Sequence, residues 1–347
     1  MRKSLTTALV TGLSIGLIGC GGEQGGKAGG TASGKKLSGE VNIDGSSTVA
    51  PITKAAAEMF YDEVEGADAV EITVGVSGTG GGFKKFADPD PNLRTDISDA
   101  SRPVKDKEIA ALKEVGVEFV EIPIALDGIA VVVNKSVDFT DHLTVEELKK
   151  MWAPESQINN WSQVRQGFPD LELKLYGPGA DSGTFDYWTE EIVGESKKSR
   201  SDYTMSEDDN MLVQGVEGSK GALGYFGYAY YEANKDRLKL VAIDSGDGKP
   251  VKPGRETISS GTYKPLSRPL FLYVNIASLE KPAVKSFLDF ILDNAKTIVQ
   301  HPSVGYVALD DAVYEVARDR LKAKVPGSAI ASAAPGPIDF VELYKAN

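Results

Sequence analysis

Three short segments of this chain place hydroxyls and glycines directly ahead of an expected helix. They are Asp44-Gly45-Ser46-Ser47-Thr48 before Pro51, Ser77-Gly78-Thr79-Gly80-Gly81-Gly82 before Phe83, and Asp181-Ser182-Gly183-Thr184 before Phe185. The first N–H groups of a helix have no partner inside it, and its N-terminus carries roughly half a positive charge. Hydroxyls add donors, and glycine lets the backbone come close to a ligand. For any one loop a plain N-cap is an equal reading, because Ser, Thr and Asp are the usual capping residues. Three such loops, brought together, would form a cage of neutral donors for an oxyanion. Neither nucleotide fingerprint fits. Phe83 precedes Lys84 where a Walker loop needs Gly-Lys, and Phe83 also takes the place of the third Gly of the dinucleotide motif.

A fourth segment, Asp96-Ile97-Ser98-Asp99-Ala100-Ser101-Arg102-Pro103, sets a carboxylate three residues from a guanidinium. Arg102 is suited to a two-pronged grip on an anion's oxygens. Asp99 looks out of place beside an anion, which is informative. Near neutral pH phosphate keeps one or two protons and sulfate keeps none. An ionised carboxylate can accept a proton from phosphate but would repel sulfate, so Asp99 would select through repulsion. A structural Asp–Arg pair is the alternative.

The elements that must position these residues alternate between strand and helix. Val41–Ile43, Val70–Val76, Glu118–Ile124, Ile129–Asn134, Leu171–Leu175, Ala222–Phe226, Leu238–Ile243 and Pro269–Asn275 read as strands. Helices are expected over Pro51–Val64, from Phe83, over Val104–Val115, from Thr144, over Ser182–Ile192 and Asn210–Glu217, and as one long amphipathic helix over Lys281–Val299. This order predicts an α/β architecture with largely parallel sheets. Ligands of such sheets sit at the carboxyl ends of strands, where loops enter helices. Glu207, Asp208, Asp209 and Asn210 are read as the acidic cap of the next helix. No cofactor or metal is expected.

Composition narrows the function. With 347 residues, two domains of ordinary size are expected. The formal net charge of -12 offers no basic field for a nucleic acid. It does not exclude a small anion in a locally positive site. Arg2 and Lys3 followed by the uncharged run Leu5–Ile18 have the layout of a secretory signal, too short for a comfortable membrane span. The run ends in Leu17-Ile18-Gly19-Cys20, which resembles a bacterial lipobox. Cys20 is the chain's single cysteine and the expected site of lipid attachment. Residues 1–19 are thus an expected signal peptide and 20–39 a flexible tether. Pro326–Pro337, rich in Ala, Gly, Ser and Pro, reads as a loose tail.

In order and spacing, the four segments resemble the phosphate-binding protein of the bacterial phosphate ABC transporter, the PstS family. Leu143–Trp161 (LTVEELKKMWAPESQINNW), Gly221–Tyr231 (GALGYFGYAYY) and Pro265–Asn275 (PLSRPLFLYVN) agree with it, and the likeness runs from about Val41 to Lys322. The resemblance implies a two-lobed type 2 periplasmic-binding-protein fold, its lobes joined by two hinge strands and closing on the ligand. Lobe one would be 40–125 plus 268–325, lobe two 126–267, and 326–347 a C-terminal tail. It also implies a monomeric, exported protein at the periplasmic or extracytoplasmic face of the membrane, held there by its lipid, that binds inorganic phosphate and passes it to permease subunits. Carried over residue by residue, the phosphate site comprises Ser47 and Thr48 (with one position of ambiguity), Thr79 with its neighbour Ser77, Asp99, and Ser182, Gly183 and Thr184 beside Asp181. Many members carry an Arg four residues before the Ser of the third loop. Here that position is Pro178, so Arg102 is the expected counter-charge.

Two other classes remain in view. A sulfate or molybdate receptor would share the donor loops. A serine hydrolase or phosphatase would use a serine on a turn, but no Gly-x-Ser-x-Gly elbow occurs and the chain has only two His.

Overall fold

Strand formation is most strongly dictated over Phe119–Val133, an almost unbroken run of apolar and β-branched residues that suits a strand covered on both faces. The computed structural model describes residues 37–332 and 338–345. Cys20, the expected signal peptide and most of the expected tether lie outside the described residues.

In chain order, β1 (Gly39–Gly45) leads into α1 (Ala50–Glu63), β2 (Val70–Val76) into α2 (Thr79–Phe86), and β3 (Ile97–Ala100) into α3 (Asp106–Glu114). β4 (Phe119–Val133) follows, then β5 (His142–Thr144), α4 (Val145–Trp152), β6 (Lys174–Gly177) and α5 (Gly183–Trp188). A wide helical turn, Thr189–Val193, prolongs α5. Next come β7 (Thr204–Met205), α6 (Asp209–Gly218), β8 (Ala222–Gly227), α7 (Tyr228–Ala233), β9 (Lys239–Leu240), β10 (Ala242–Asp244) and α8 (Arg255–Ser259). The chain returns through β11 (Ser267–Asn275) and closes with α9 (Pro282–Asp293), α10 (Ala295–Val299), α11 (Asp311–Ala323) and α12 (Phe340–Lys345).

The main sheet has the order β2-β1-β3-β11-β4-β8-β6-β7, with β9 also on β4. β1 is parallel to β2 and β3, and β6 is parallel to β7 and β8. The expectation of largely parallel sheets is therefore corrected. β4 and β11 run against their neighbours and make the sheet mixed. The two strands expected at 118–124 and 129–134 are one, and it changes partner along its length. Phe119–Gly128 pairs with β11, and Ile129–Val133 with β8. Pro123, which has no N–H to give, sits where the β4–β11 register shifts.

Helices cover the sheet through apolar stripes. Pro51 and Pro282 start α1 and α9, where their fixed φ suits the first turn. Phe60 of α1 meets Phe287 and Phe290 of α9 edge-on, each at 5.4 Å between ring centres. Thr144 and Glu147 form a reciprocal capping box at the start of α4. The single long helix expected over 281–299 is broken at Asn294, whose ψ of 13° leaves the helical range.

The C-terminal segment is anchored, which corrects the expectation of a loose tail. Glu121 of β4 is fully buried. Its Oε2 accepts from Tyr273 Oη (2.8 Å) and Ser328 Oγ, and its Oε1 accepts from Tyr344 Oη (2.7 Å) and Ile330 N (3.1 Å). Gly327 N donates to Phe119 O at 2.8 Å, and Phe340 and Tyr344 are buried. Hydrogen bonds to a buried carboxylate are worth about 1.5–3 kcal/mol each. Tyr344→Phe is thus expected to lower unfolding stability by about 1.5–3 kcal/mol. The shift of the urea midpoint at unchanged slope is the measurement.

Candidate functional site

The first three parallel strands end at one edge of the sheet, and their loops meet there. At the end of β1, Gly45 has φ +151°, and a Cβ on it would lie 2.1 Å from Asp99 O. Only glycine lets loop one pass this close to β3. Ser46 N donates to Asp99 O (2.9 Å), and Ser77 N donates to Gly45 O (3.1 Å). Ser77 Oγ donates to Asp44 Oδ1, while Lys85 Nζ pairs with Asp44 Oδ2 at 2.5 Å. Thr79 Oγ1 accepts from Ser101 N (3.2 Å) and lies 3.2 Å from Ser101 Oγ. Loops one and two and the end of β3 are thereby joined by hydrogen bonds.

The third loop arrives from the far part of the sheet. Ser182 caps α5 by accepting from Thr184 N at 3.1 Å. Gly183 lies against loop one. Thr48 Oγ1 is 3.4 Å from Gly183 O, and a Cβ on Gly183 would come within 2.6 Å of Thr48 Cα. One turn on, Asp186 Oδ2 accepts from Ser47 Oγ at 3.2 Å. Burial raises the Asp186 carboxyl pKa against the opposing effect of Lys197 and Ser47. Asp181 is exposed. A cavity of about 920 Å³ opens beside this junction. Ser47, Thr48, Ser77, Thr79 and Arg102 line it, whereas Asp99, Asp181, Ser182, Gly183 and Thr184 are not among its lining residues.

Asp99 stands behind the loops with no exposure. Its Oδ2 accepts from Thr53 Oγ1 of α1 at 2.9 Å, while Oδ1 is buried without a hydrogen-bond partner. Burial pushes its pKa up to about 8; the Thr53 bond opposes the rise and the nearby Asp44 charge adds to it. A buried oxygen with an unused lone pair is an acceptor for a donor brought by a ligand.

Arg102 is directed elsewhere than expected. Its Nη1 and Nη2 donate to the two oxygens of Glu108 at 2.9 and 2.8 Å, and Nη1 also reaches Pro103 O. Burial alone would raise Glu108. The bonds from Arg102 and from Lys105 N, with both positive charges, instead hold it below its usual range. Glu108 is one of two acids in the first turn of α3, six residues along. The pairing is visible in the sequence only once that helix is known to start at Asp106.

Sequence reasoning missed a second guanidinium. Arg268 of β11 faces Asp127 of β4 across the ladder. Its Nε donates to Asp127 Oδ2 at 3.3 Å and its Nη2 to Thr48 Oγ1 at 2.9 Å. Its guanidinium carbon lies 3.6 Å from the centre of the Tyr187 ring. Asp127 has no exposure, its Oδ1 is buried without a partner, and burial raises its pKa against the pull of Arg268. The signal available was Arg268 itself, an Arg beside a Pro in an otherwise apolar strand. The acidic stretch after β7 behaves as a cap, with Asp208 Oδ1 accepting from Asn210 N at 2.9 Å.

With the site in view, its relatives can be compared. A PBP superfamily domain matches residues 29–295. The chain is 44% identical over 308 residues to the protein SphX of Synechococcus elongatus, covering 88% of each chain. It is 38% identical over 319 residues to the phosphate-binding protein PstS of Staphylococcus saprophyticus, covering 91% of this chain and 92% of that one. A possible phosphate-binding protein from Planctomyces limnophilus superposes with a TM-score of 0.76 at 45% identity, over 83% of this chain and 99% of that one. The fold is the type 2 periplasmic-binding-protein fold, and the chain belongs to the PstS family of phosphate-binding proteins.

Proposed function

We propose that this chain is an exported, lipid-anchored receptor that takes up inorganic phosphate between two lobes and delivers it to the permease of an ABC transporter, without catalysing a reaction. Membership of the PstS family and the convergence of three donor loops support an anion. The observation that carries phosphate in particular is Asp99, with its unpartnered Oδ1 buried where those loops meet. Its acceptor can take a proton that phosphate has and sulfate lacks. The lobes are taken as 40–125 plus 268–325 and 126–267, working as a monomer. Both boundaries fall in the β4–β11 ladder, close to where Leu126 faces Pro269. The anion's ligands in this reading are Ser47, Thr48, Ser77, Thr79, Asp99 and the Ser182-Gly183-Thr184 turn. Cys20 carries the lipid.

The protonation of Asp99 sets the sign of a pH effect. Below about pH 8 burial keeps the free carboxyl protonated, and it can then donate to any oxyanion. Above that value it is ionised, and only an anion with its own proton can use it. Discrimination against sulfate should therefore grow with pH. Calorimetric titration is expected to give tight phosphate binding. Sulfate should compete progressively less as the pH is raised through about 8, by at most roughly tenfold per pH unit. In Asp99→Asn, phosphate should bind more weakly and sulfate competition should lose its pH dependence. Tight, pH-independent sulfate binding by the wild type would sink the role given to Asp99. Turnover of a chromogenic phosphate ester, abolished by Ser182→Ala, would replace the receptor with a hydrolase.

Closure is testable at Gly183. The Cβ of Gly183→Ala would meet loop-one backbone at 2.6 Å. The substitution is expected to weaken phosphate binding by roughly tenfold or more, since a displacement of the loops costs about 1.4 kcal/mol for each factor of ten. Its melting temperature without ligand should stay near that of the wild type.

A further inference from the structure

We infer that the cation meeting the anion is Arg268, carried into the cleft by strand β11 rather than by any of the three donor loops. This assignment rests on the reading of the cleft as a phosphate site. An anion cleft in a chain of net charge -12 needs a local positive charge. Five cationic side chains line the cavity: Arg102, Lys105, Lys197, Lys264 and Arg268. Arg102 has both terminal nitrogens on Glu108. Lys105 and Lys264 are exposed, and Lys197, 65% exposed, lies 3.7 Å from Asp186. A water-screened ammonium gives an anion little.

Arg268 differs from all four. Its side chain is 13% exposed, so its charge acts at low dielectric. Its Nη2 already touches the hydroxyl of Thr48, a donor from loop one. Among the described residues, its Nη1 has no hydrogen-bond partner. The guanidinium carbon lies over the Tyr187 ring at 3.6 Å, a contact that restrains the plane of the fork. Asp127 holds the other end through Nε, in one contact of 3.3 Å rather than a two-pronged grip. Asp127 therefore acts as a positioning residue that orients the fork without occupying both of its ends. The arrangement ties the cation to both sides of the cleft, through Thr48 on one and Tyr187 on the other. A phosphate oxygen seated on Nη1 and Nη2 would bridge the two sides through one side chain.

The test is titration of the full chain with inorganic phosphate, with melting of each variant in the absence of ligand. Arg268→Ala is expected to lose roughly a hundredfold in affinity or more, as for truncation of a buried charged partner. Because that change also strands Asp127, Arg268→Lys is the deciding variant. It keeps the charge and lacks the fork, and is expected to fold and to bind roughly tenfold more weakly. The salt dependence of binding should flatten in Arg268→Ala. Arg102→Ala should change affinity by less than about threefold, because Glu108 already occupies both of its terminal nitrogens. A folded Arg268→Lys that binds as tightly as the wild type, or an Arg102→Ala that loses more than either, would overturn the assignment while leaving the phosphate reading intact. A wild-type chain that takes up no phosphate would remove the reading and this inference together.

Discussion

A carboxylate enclosed by apolar strand must be matched by donors, and β4 encloses two. The penalty for taking an ion out of water is several kcal/mol, and it is offset only where hydrogen bonds use the oxygens that water has left. Glu121 and Asp127 lie six residues apart on this strand, and both are fully buried. Glu121 is matched by β11 through Tyr273 and by the end of the chain. Asp127 is matched by β11 through Arg268, which lines the cavity. The needs of one strand thus bring together the fold's crossing ladder, the segment around Tyr344 and the cavity edge at Arg268.

The donor loops obey a different constraint, set by distance. The parallel strands β2, β1 and β3 end at a common edge, so loops one and two and Ser101 meet by topology alone. The third loop belongs to the other half of the sheet and reaches them across a gap that only glycine permits. Ser47 and Asp186 add a hydrogen bond between residues 139 positions apart in sequence. Such contacts exist in one relative arrangement of the two sides, which is what a ligand-driven closure would exploit.

Much of this was legible in the sequence, and the divide follows range. Strand–loop–helix units at Gly45, Gly78 and Gly183, the cap at Ser182 and the burial of 129–133 all follow from neighbours a few residues apart. The family likeness, carried by four short segments, pointed to the type 2 periplasmic-binding-protein fold. What escaped depended on partners far along the chain. Arg102 looked like an anion's partner until α3 placed Glu108 beside it. Arg268, one residue outside the expected strand, had no assigned role until β4 placed Asp127 opposite. The stretch after Pro326 looked loose because its acceptor, Glu121, lies about two hundred residues earlier.

That last distance bears on the order in which the molecule can be completed. Glu121 takes two of its four donors from Ile330 and Tyr344 and a third from Ser328. Ser328 and Tyr344 stand 207 and 223 residues further along the chain than Glu121. Until they arrive, β4 holds a carboxylate with one donor from β11 and the rest of its lone pairs unmet. Closing the core around β4 therefore waits on contacts that span much of the chain, and long-range pairings of this kind slow folding. A buried carboxylate matched by donors so distant makes Ser328, Ile330 and Tyr344 part of the core around β4 and not an appendage to it.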